Sequence, residues 1–197
     1  MISYGYDSTI PISMDEILLL SRAVTRGISS ALVVGDLPFL SYQHSISAAV
    51  KNAGRFLKEG RVSAVKLEGG KKVKKQIQSI VDFGIPVMGH IGLTPQSVNQ
   101  FSGYSIQGKN LDSAQKILDD ARTVEESGAF AIVLECMPKE LAEKITQTLS
   151  IPTIGIGSGS SCDGQIQVLH DLLGLISGFT PKHSKQFINL YLSLIHI

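Results

Sequence analysis

Residues 65–70 read VKLEGG and residues 89–98 read GHIGLTPQSV, and these two stretches decide the fold class. In each of them an apolar run ends abruptly in charged or imidazole groups that glycine follows. This pattern is typical of a buried parallel strand that carries polar side chains at its carboxyl end. Both stretches therefore indicate an enzyme.

The same alternation of patterns runs along most of the chain. Five apolar runs end at a polar group or a glycine: 31–34, 62–67, 86–89, 129–134 and 152–156. Helical patterns lie between them: one opened by a Ser13/Glu16 capping box, then 44–57, 72–83, 111–127 and 138–149. This order predicts repeated βα units and a parallel sheet.

Two parallel architectures satisfy this order, a barrel and a doubly wound sheet. Polar groups at four separate strand ends converge more naturally in a barrel, so we favour the barrel. Residues 164–174, GQIQVLHDLLG, suit either the start of a sixth strand or a helix. A closed eight-stranded barrel usually takes about 250 residues, which is more than this chain has.

Composition excludes several classes of protein. The chain has 197 residues, 43% hydrophobic residues and a net charge of +1, which predicts one sizeable core and no nucleic-acid partner. Cys136 and Cys162 form no CxxC pair, so neither a zinc site nor a disulfide framework is indicated. No signal peptide or membrane-length apolar run is evident, and we expect a cytoplasmic protein without a membrane partner.

Asp36 and Glu68 follow neighbouring predicted strands. Two hard oxygen donors that face one cavity suit Mg²⁺, which keeps water or substrate oxygens as its other ligands. The structural alternatives are a turn or helix-cap role for Asp36 and a solvated loop position for Glu68. Lys66 lies two residues before Glu68 and shares its face, so this pair is either functional or a structural ion pair.

His90 and Glu135 end two further apolar runs. A lone histidine is often a hydrogen-bonded structural residue, but a strand end favours a place in the site. A carboxylate at the end of the run AIVLE, residues 131–135, suits a general acid or base, with an ion-paired strand end as the alternative. Cys136 points to the opposite face and is interpreted as a packing residue.

Two other motifs are weaker. GIGSGSS, residues 155–161, resembles a phosphate loop but fails the GxGxxG pattern at Ser160, so we interpret it as a tight turn. KKVKK, residues 71–75, is interpreted as a solvated helix face because the net charge is nearly neutral. Binding of the anionic tail of a cofactor is the alternative for these lysines.

Through most of its length, from about residue 5 to residue 187, the chain resembles the ketopantoate hydroxymethyltransferase family. The motifs that carry the resemblance occur in order: GYDSTIPIS, GDLPF, VKLEGG, GHIGLTPQSVN, SGY followed by QGK, VLECMP, IPTIGIGSG, DGQIQVLHDLLG and PKHSKQF. The resemblance implies an α/β fold, a (βα)₈ TIM barrel of the phosphoenolpyruvate mutase and isocitrate lyase type. By this comparison the chain lacks the first two strands.

The resemblance also implies an activity. Family members transfer a hydroxymethyl group from 5,10-methylenetetrahydrofolate to 3-methyl-2-oxobutanoate through a Mg²⁺-stabilised enolate, giving 2-dehydropantoate for pantothenate synthesis. At the positions of this chain that match the family's motifs, the resemblance implies that Asp36 is a Mg²⁺ ligand that also binds the keto acid. It implies that Glu68 is a second metal-site carboxylate. Lys66 is substrate-binding, Glu135 is the catalytic proton acceptor, and His90 is in the same site. The implied assembly is a homo-oligomer, a decamer in the family.

The chain departs from the family at both ends. We expect residues 1–187 to form one partial barrel domain and residues 188–197 an atypical apolar tail. The family's second strand ends in a VGDS motif that supplies a metal-binding aspartate, and no such motif precedes Asp36. The chain alone is therefore expected to be inactive. A related Mg²⁺-dependent C–C lyase acting on 2-oxo acids and a non-catalytic assembly fragment are the alternatives.

Overall fold

Six parallel strands form one sheet in the computed structural model, which describes residues 5–100, 105–176 and 181–196. The strands are β1 (Val34–Asp36), β2 (Ala64–Glu68), β3 (Val87–Gly92), β4 (Ala131–Glu135), β5 (Thr153–Ile156) and β6 (Gly164–Gln165). Each strand pairs in parallel with the next along the chain. A doubly wound sheet reverses its strand order at a switch point. The sequential order is that of a TIM barrel, as predicted.

Within the described residues, one α-helix precedes β1, four connect successive strands from β1 to β5, and two follow β6. They are α1 (Met14–Gly27), α2 (Ile46–Arg55), α3 (Lys74–Asp82), α4 (Leu111–Glu126), α5 (Lys139–Thr148), α6 (Leu169–Leu172) and α7 (Leu190–Ile195). A π-helical segment, Phe56–Gly60, continues α2, and 3₁₀ segments cover Lys71–Val73 and Pro95–Gln100. The predicted capping box is confirmed, because the Ser13 hydroxyl accepts the Glu16 N–H and the Glu16 carboxylate accepts the Ser13 N–H.

The outer face of the sheet packs against the helices. Its apolar side chains are fully buried with those of α3, α4 and α5: Val65, Leu67, Val87, Ile132, Leu134, Ile77, Val124 and Ile145. Burying each such side chain contributes about 1.5–3 kcal/mol. At Gly89 a Cβ atom would lie 2.4 Å from Cγ1 of Val124, so glycine allows α4 to approach β3 this closely.

The observed strand ends differ most from the predicted ones at β1 and β3. Strand β1 begins at Val34 rather than at residue 31, and its single neighbour in the described sheet is β2. Strand β3 extends through His90 to Gly92, so the imidazole lies within the ladder rather than after it. Backbone pairing with β4 continues as far as Gly92 and Glu135, so β3 extends beyond the apolar run that ends at residue 89.

The ambiguous stretch 164–174 contains both predicted structures. Its first two residues form β6 beside β5, and Leu169–Leu172 form a short helix. The SGY motif at 102–104 lies outside the described residues. The domain limits, 1–187 and a tail from 188, stay a prediction, although the N–H groups of Leu190 and Tyr191 donate to Leu173 and Gly174. In the described part of the chain, no helix has both the length and the apolarity to cross a bilayer.

Candidate active site

The register of the sheet brings the five predicted site residues to one face. Asp36 lies opposite Lys66, and Glu68 lies opposite His90. Glu135 lies opposite Gly92, which is two positions after His90 on β3. Glu135 and His90 therefore project from the same face of the sheet. Paired residues of parallel strands, and residues two apart on one strand, project from the same side of a sheet. This inner face is the one turned away from the helices.

Lys66 lies at the centre of the group. Its Nζ is 2.8 Å from Oδ1 of Asp36 and 3.4 Å from Nδ1 of His90, and its side chain is 19% exposed. Burial disfavours the ammonium charge, but the negative charges of Asp36 and Glu68 outweigh it and raise the pKa of Lys66. The site therefore holds a fixed cation, which suits an anionic substrate.

His90 lies between Lys66 and Glu135. Its Nε2 lies 3.0 Å from Oε2 of Glu135, although the N–H is not aligned for a hydrogen bond. Burial and then the Lys66 cation lower the pKa of His90, so the imidazole is neutral at pH 7. Because an ammonium only donates, the Lys66 contact assigns a lone pair to Nδ1 and the proton to Nε2, towards Glu135.

Glu68 is the most buried carboxylate of the group, with a residue exposure of 7%. Its Oε2 accepts the N–H of Gln96 at 3.0 Å, and its Oε1 lies 3.8 Å from Nδ1 of His90, too far for a hydrogen bond. Burial raises the pKa of Glu68 to about 7, although Lys66 opposes the shift. Glu68 therefore titrates near neutral pH.

Tyr42 and Gln96 belong to the site but were not identified from the sequence. The Tyr42 hydroxyl accepts the Glu68 N–H at 3.0 Å, and it lies 3.1 Å from Oε1 of Gln96. Nε2 of Gln96 donates to the Leu37 carbonyl at 2.8 Å. Gln96 lies inside the stretch 89–98, where its neighbours already indicated chemistry. No pattern identified Tyr42, because its partners are 26 and 54 residues away.

Asp36 and Glu68 are the carboxylates that could hold a metal ion. Oδ1 of Asp36 is buried and forms an ion pair with Nζ of Lys66 at 2.8 Å, which holds the carboxylate in the site. Within the ranges that the structure describes, no three His, Cys, Asp or Glu side chains are placed to hold a metal by themselves. The pair suits Mg²⁺, which is commonly bound by one or two carboxylates with water and substrate oxygens completing its shell.

The residue after Glu135 is conformationally constrained rather than reactive. Cys136 has a φ of 48°, and its N–H donates to the Ile156 carbonyl. Burial raises the pKa of its thiol to about 11, so it is protonated at neutral pH. This agrees with the packing role predicted for Cys136.

A comparison with protein families decides the relationship. The family model described as ketopantoate hydroxymethyltransferase matches residues 1–196. The chain belongs to the ketopantoate hydroxymethyltransferase family. Its resemblance to that family, inferred from ordered motifs, is therefore confirmed.

Curated relatives of the family agree closely in sequence. The chain is 54% identical over 190 residues to a 3-methyl-2-oxobutanoate hydroxymethyltransferase of Syntrophus aciditrophicus (strain SB), covering 96% of this chain and 70% of the relative. It is 56% identical over 190 residues to the protein of that name from Carboxydothermus hydrogenoformans, covering 96% and 69%. The relatives are thus longer than this chain. Members of the family are transferases.

Two solved structures share the fold of this family member at low identity. A protein described as a phosphonomutase from Burkholderia cenocepacia J2315 aligns with a TM-score of 0.59 and 11% identity, covering 78% of this chain and 64% of that one. Orotidine 5'-monophosphate decarboxylase from Methanocaldococcus jannaschii aligns with a TM-score of 0.52 and 14% identity, covering 75% and 62%. These likenesses support the barrel-type fold.

Proposed function

We propose that the inner face of the sheet binds 3-methyl-2-oxobutanoate and removes its C3 proton, the first half of hydroxymethyl transfer. The observation that carries this proposal is the contact series Asp36–Lys66–His90–Glu135, in which a buried cation and a carboxylate flank a neutral imidazole. The names of the relatives support the overall reaction, and the distances between these side chains support the role that we propose for each residue.

Lys66 binds the carboxylate of the keto acid. Its ammonium is held in place by Asp36, and a second anion can approach because the Lys66 side chain is partly exposed. A charge-assisted hydrogen bond of this kind contributes about 1.5–3 kcal/mol. Lys66 therefore fixes which end of the substrate faces the sheet.

Glu135 accepts the proton from C3, and His90 positions it. The side chain of Glu135 is 18% exposed, so one of its oxygens can reach a substrate while Nε2–H of His90 lies beside the other. A neutral histidine can orient the base without taking its proton, because its own pKa is lowered. This division of work makes Glu135 the catalytic base and His90 a positioning residue.

Asp36 and Glu68 would hold Mg²⁺. When bound, the ion would withdraw electron density from the keto acid oxygens and make loss of the C3 proton easier. The carbanion equivalent at C3 then forms a C–C bond to the one-carbon unit of 5,10-methylenetetrahydrofolate. Both C–N bonds of the methylene bridge break, and water supplies the hydroxyl group. The C3 proton and the second proton of the water go to the two folate nitrogens, so that 2-dehydropantoate and tetrahydrofolate leave.

Deuterium exchange tests the proton transfer without the folate. We expect the chain, given 3-methyl-2-oxobutanoate and Mg²⁺ in D₂O, to exchange the C3 proton, as followed by ¹H NMR. Glu135→Gln should reduce the exchange rate at least a hundredfold, because general base catalysis contributes about 10²–10⁴-fold. Glu140→Gln, a matched change at an exposed glutamate of α5, should leave the rate unchanged. Unaltered exchange in Glu135→Gln would contradict the proposal.

The remaining sequence-based expectations stay predictions. They are the cytoplasmic location, the homo-oligomeric assembly and the inactivity of this chain alone in the overall transfer of the hydroxymethyl group. An assay of overall turnover with keto acid, Mg²⁺ and methylenetetrahydrofolate tests the last of them. Turnover near that of a full-length relative would contradict the expected inactivity.

A further inference from the structure

One side chain joins the ends of the two strands that carry the proposed metal ligands. Gln96 follows β3 in the chain, is 6% exposed as a residue, and donates from its amide Nε2 to the Leu37 carbonyl at 2.8 Å. Leu37 directly follows Asp36, the last residue of β1. The backbone N–H of the same Gln96 donates to Oε2 of Glu68, the last residue of β2, at 3.0 Å. Gln96 therefore contacts both strand ends at once.

The backbone N–H of Gln96 is available to Glu68 because of its place in the chain. Gln96 is the second residue of the 3₁₀ segment Pro95–Gln100, in whose first turn the N–H of Ser97 donates to the Thr94 carbonyl. The first N–H groups of a helix have no partner within it, and proline has no N–H at all. The first N–H that this segment offers therefore meets the buried carboxylate.

The side-chain amide of Gln96 is held in one orientation by its neighbours. Because Nε2 donates to Leu37, Oε1 faces Tyr42 and Gln43, and it accepts the hydroxyl of the first and the amide N–H of the second, both at 3.1 Å. The Tyr42 hydroxyl in turn accepts the N–H of Glu68 at 3.0 Å. Gln96, Tyr42 and Glu68 thus form a closed ring of hydrogen bonds. Loss of one member of a buried network leaves the others without partners.

The ring also fixes which way the Glu68 carboxylate is turned. Its Oε2 is bound by the Gln96 N–H, so its Oε1 is left on the side of His90, 3.8 Å from Nδ1. Asp36 precedes Leu37, whose carbonyl is bound by the same glutamine. Mg²⁺ requires near-ideal octahedral geometry, so its affinity depends on how the two carboxylates are spaced and turned.

We propose that Gln96 is a positioning residue that sets the spacing of the Asp36 and Glu68 carboxylates for a divalent cation. It acts through the Glu68 carboxylate and through the backbone beside Asp36, rather than by contact with the ion. The inference rests on the proposed function, because it requires that these two carboxylates hold the ion. Replacing a group that orients metal ligands commonly lowers metal affinity about 10–100-fold. A residue that served only the fold would leave the affinity of the folded chain unchanged.

Binding of Mn²⁺ to the whole chain, without keto acid, tests this role. Mn²⁺ suits the same carboxylate and water ligands as Mg²⁺, and the loss of the electron paramagnetic resonance signal of the free ion measures its affinity. Gln96→Met retains the length of the side chain but removes its hydrogen bonds, and it should weaken Mn²⁺ binding about tenfold or more. Gln115→Met, the same change at an exposed glutamine of α4, should match wild type.

A double-mutant cycle shows whether the ring acts as a unit. Tyr42→Phe should itself weaken Mn²⁺ binding, because it removes the hydroxyl that joins Glu68 to Gln96. In the combined variant with Gln96→Met, the loss of binding free energy should be smaller than the sum of the two single losses, since members of one network are coupled. Fully additive losses would contradict the ring as the means of positioning.

The dependence of C3 proton exchange on Mg²⁺ separates positioning from a role in the fold. Gln96→Met should raise the Mg²⁺ concentration that gives half the maximal rate, while the rate at saturating Mg²⁺ stays close to that of wild type. Circular dichroism, recorded well below the melting temperature of each variant, identifies the folded chain. Wild-type Mn²⁺ affinity in folded Gln96→Met would overturn the inference, even if this variant melts at a lower temperature.

Glu68→Gln distinguishes failure of this inference from failure of the proposed function. This variant keeps an acceptor for the Gln96 N–H but removes the negative charge, so it should lose most of the Mn²⁺ affinity. Binding that depends on Glu68 but not on Gln96 would support the metal site and overturn the inference alone. Equal Mn²⁺ binding by folded wild type and Glu68→Gln would contradict the proposed metal site, and the inference with it.

Discussion

The two faces of the sheet come from the same strands but have opposite properties. On the outer face Val65, Leu67 and Leu134 are completely buried against helices. On the inner face their immediate neighbours in sequence, Lys66, Glu68 and Glu135, are ionisable side chains in partly or largely buried positions. Alternation along a strand therefore places a stabilising residue beside each candidate functional residue.

This difference suggests that stability and chemistry are divided between the faces. Outer-face burial supplies free energy of folding, whereas the inner face keeps a buried carboxylate and an imidazole whose pKa values are shifted by desolvation. Holding such groups costs stability. Substitutions on the outer face should therefore change stability first, and those on the inner face should change binding and pH dependence.

The largest expected effect is on the outer face. Leu134→Ala should lower the free energy of unfolding by about 2–5 kcal/mol, because it removes a fully buried side chain from the core. Chemical denaturation followed by circular dichroism measures the change. Leu111→Ala, at a leucine that is 89% exposed, is the matched control and should cost less than about 1 kcal/mol. Equal losses of unfolding free energy in the two variants would contradict the claim that burial on the outer face stabilises the fold.

A somewhat smaller effect is expected at Glu68, and it depends on pH. The pKa of this carboxyl is about 7 in the folded chain and near 4.5 in the unfolded chain, so the folded state binds the extra proton between these values. Its contribution to stability therefore falls as pH rises from about 4.5 to 7 and then levels off.

Glu68→Gln removes this titration while retaining an acceptor for the Gln96 N–H. The difference in unfolding free energy between variant and wild type should grow by up to about 3 kcal/mol between pH 4.5 and 7 in metal-free buffer. Denaturation curves at several pH values measure it. A difference that is independent of pH would show that Glu68 does not titrate in this range.

The smallest of these effects concerns the loop that supports the inner face. Tyr42→Phe leaves the buried Glu68 N–H without its acceptor and should cost about 1–3 kcal/mol of stability. Tyr191→Phe, at a half-exposed tyrosine of α7, is the control and should be nearly neutral. Thermal denaturation of both variants tests the claim, and similar melting temperatures would remove Tyr42 from the site's support.

The sequence was sufficient for the features that repeat along it. Apolar runs that end in polar groups predicted the parallel sheet, and the period of two placed Lys66 and Glu68 on one face. The sequence was insufficient for residues whose hydrogen-bond partners lie far away along the chain. The hydroxyl of Tyr42, the Gln43 amide and the position of His90 inside β3 depend on contacts between distant segments, which no local pattern encodes.

The most direct test of the central claim is a calorimetric titration of 3-methyl-2-oxobutanoate with Mg²⁺ into the wild-type chain and Lys66→Met. Wild type should bind the keto acid, and the variant should bind it at least tenfold more weakly, because it has lost the cation that faces the substrate carboxylate. Lys116→Met, at an exposed lysine of α4, should match wild type. Equal affinities in Lys66→Met and wild type, or no binding by the folded wild-type chain, would contradict the account.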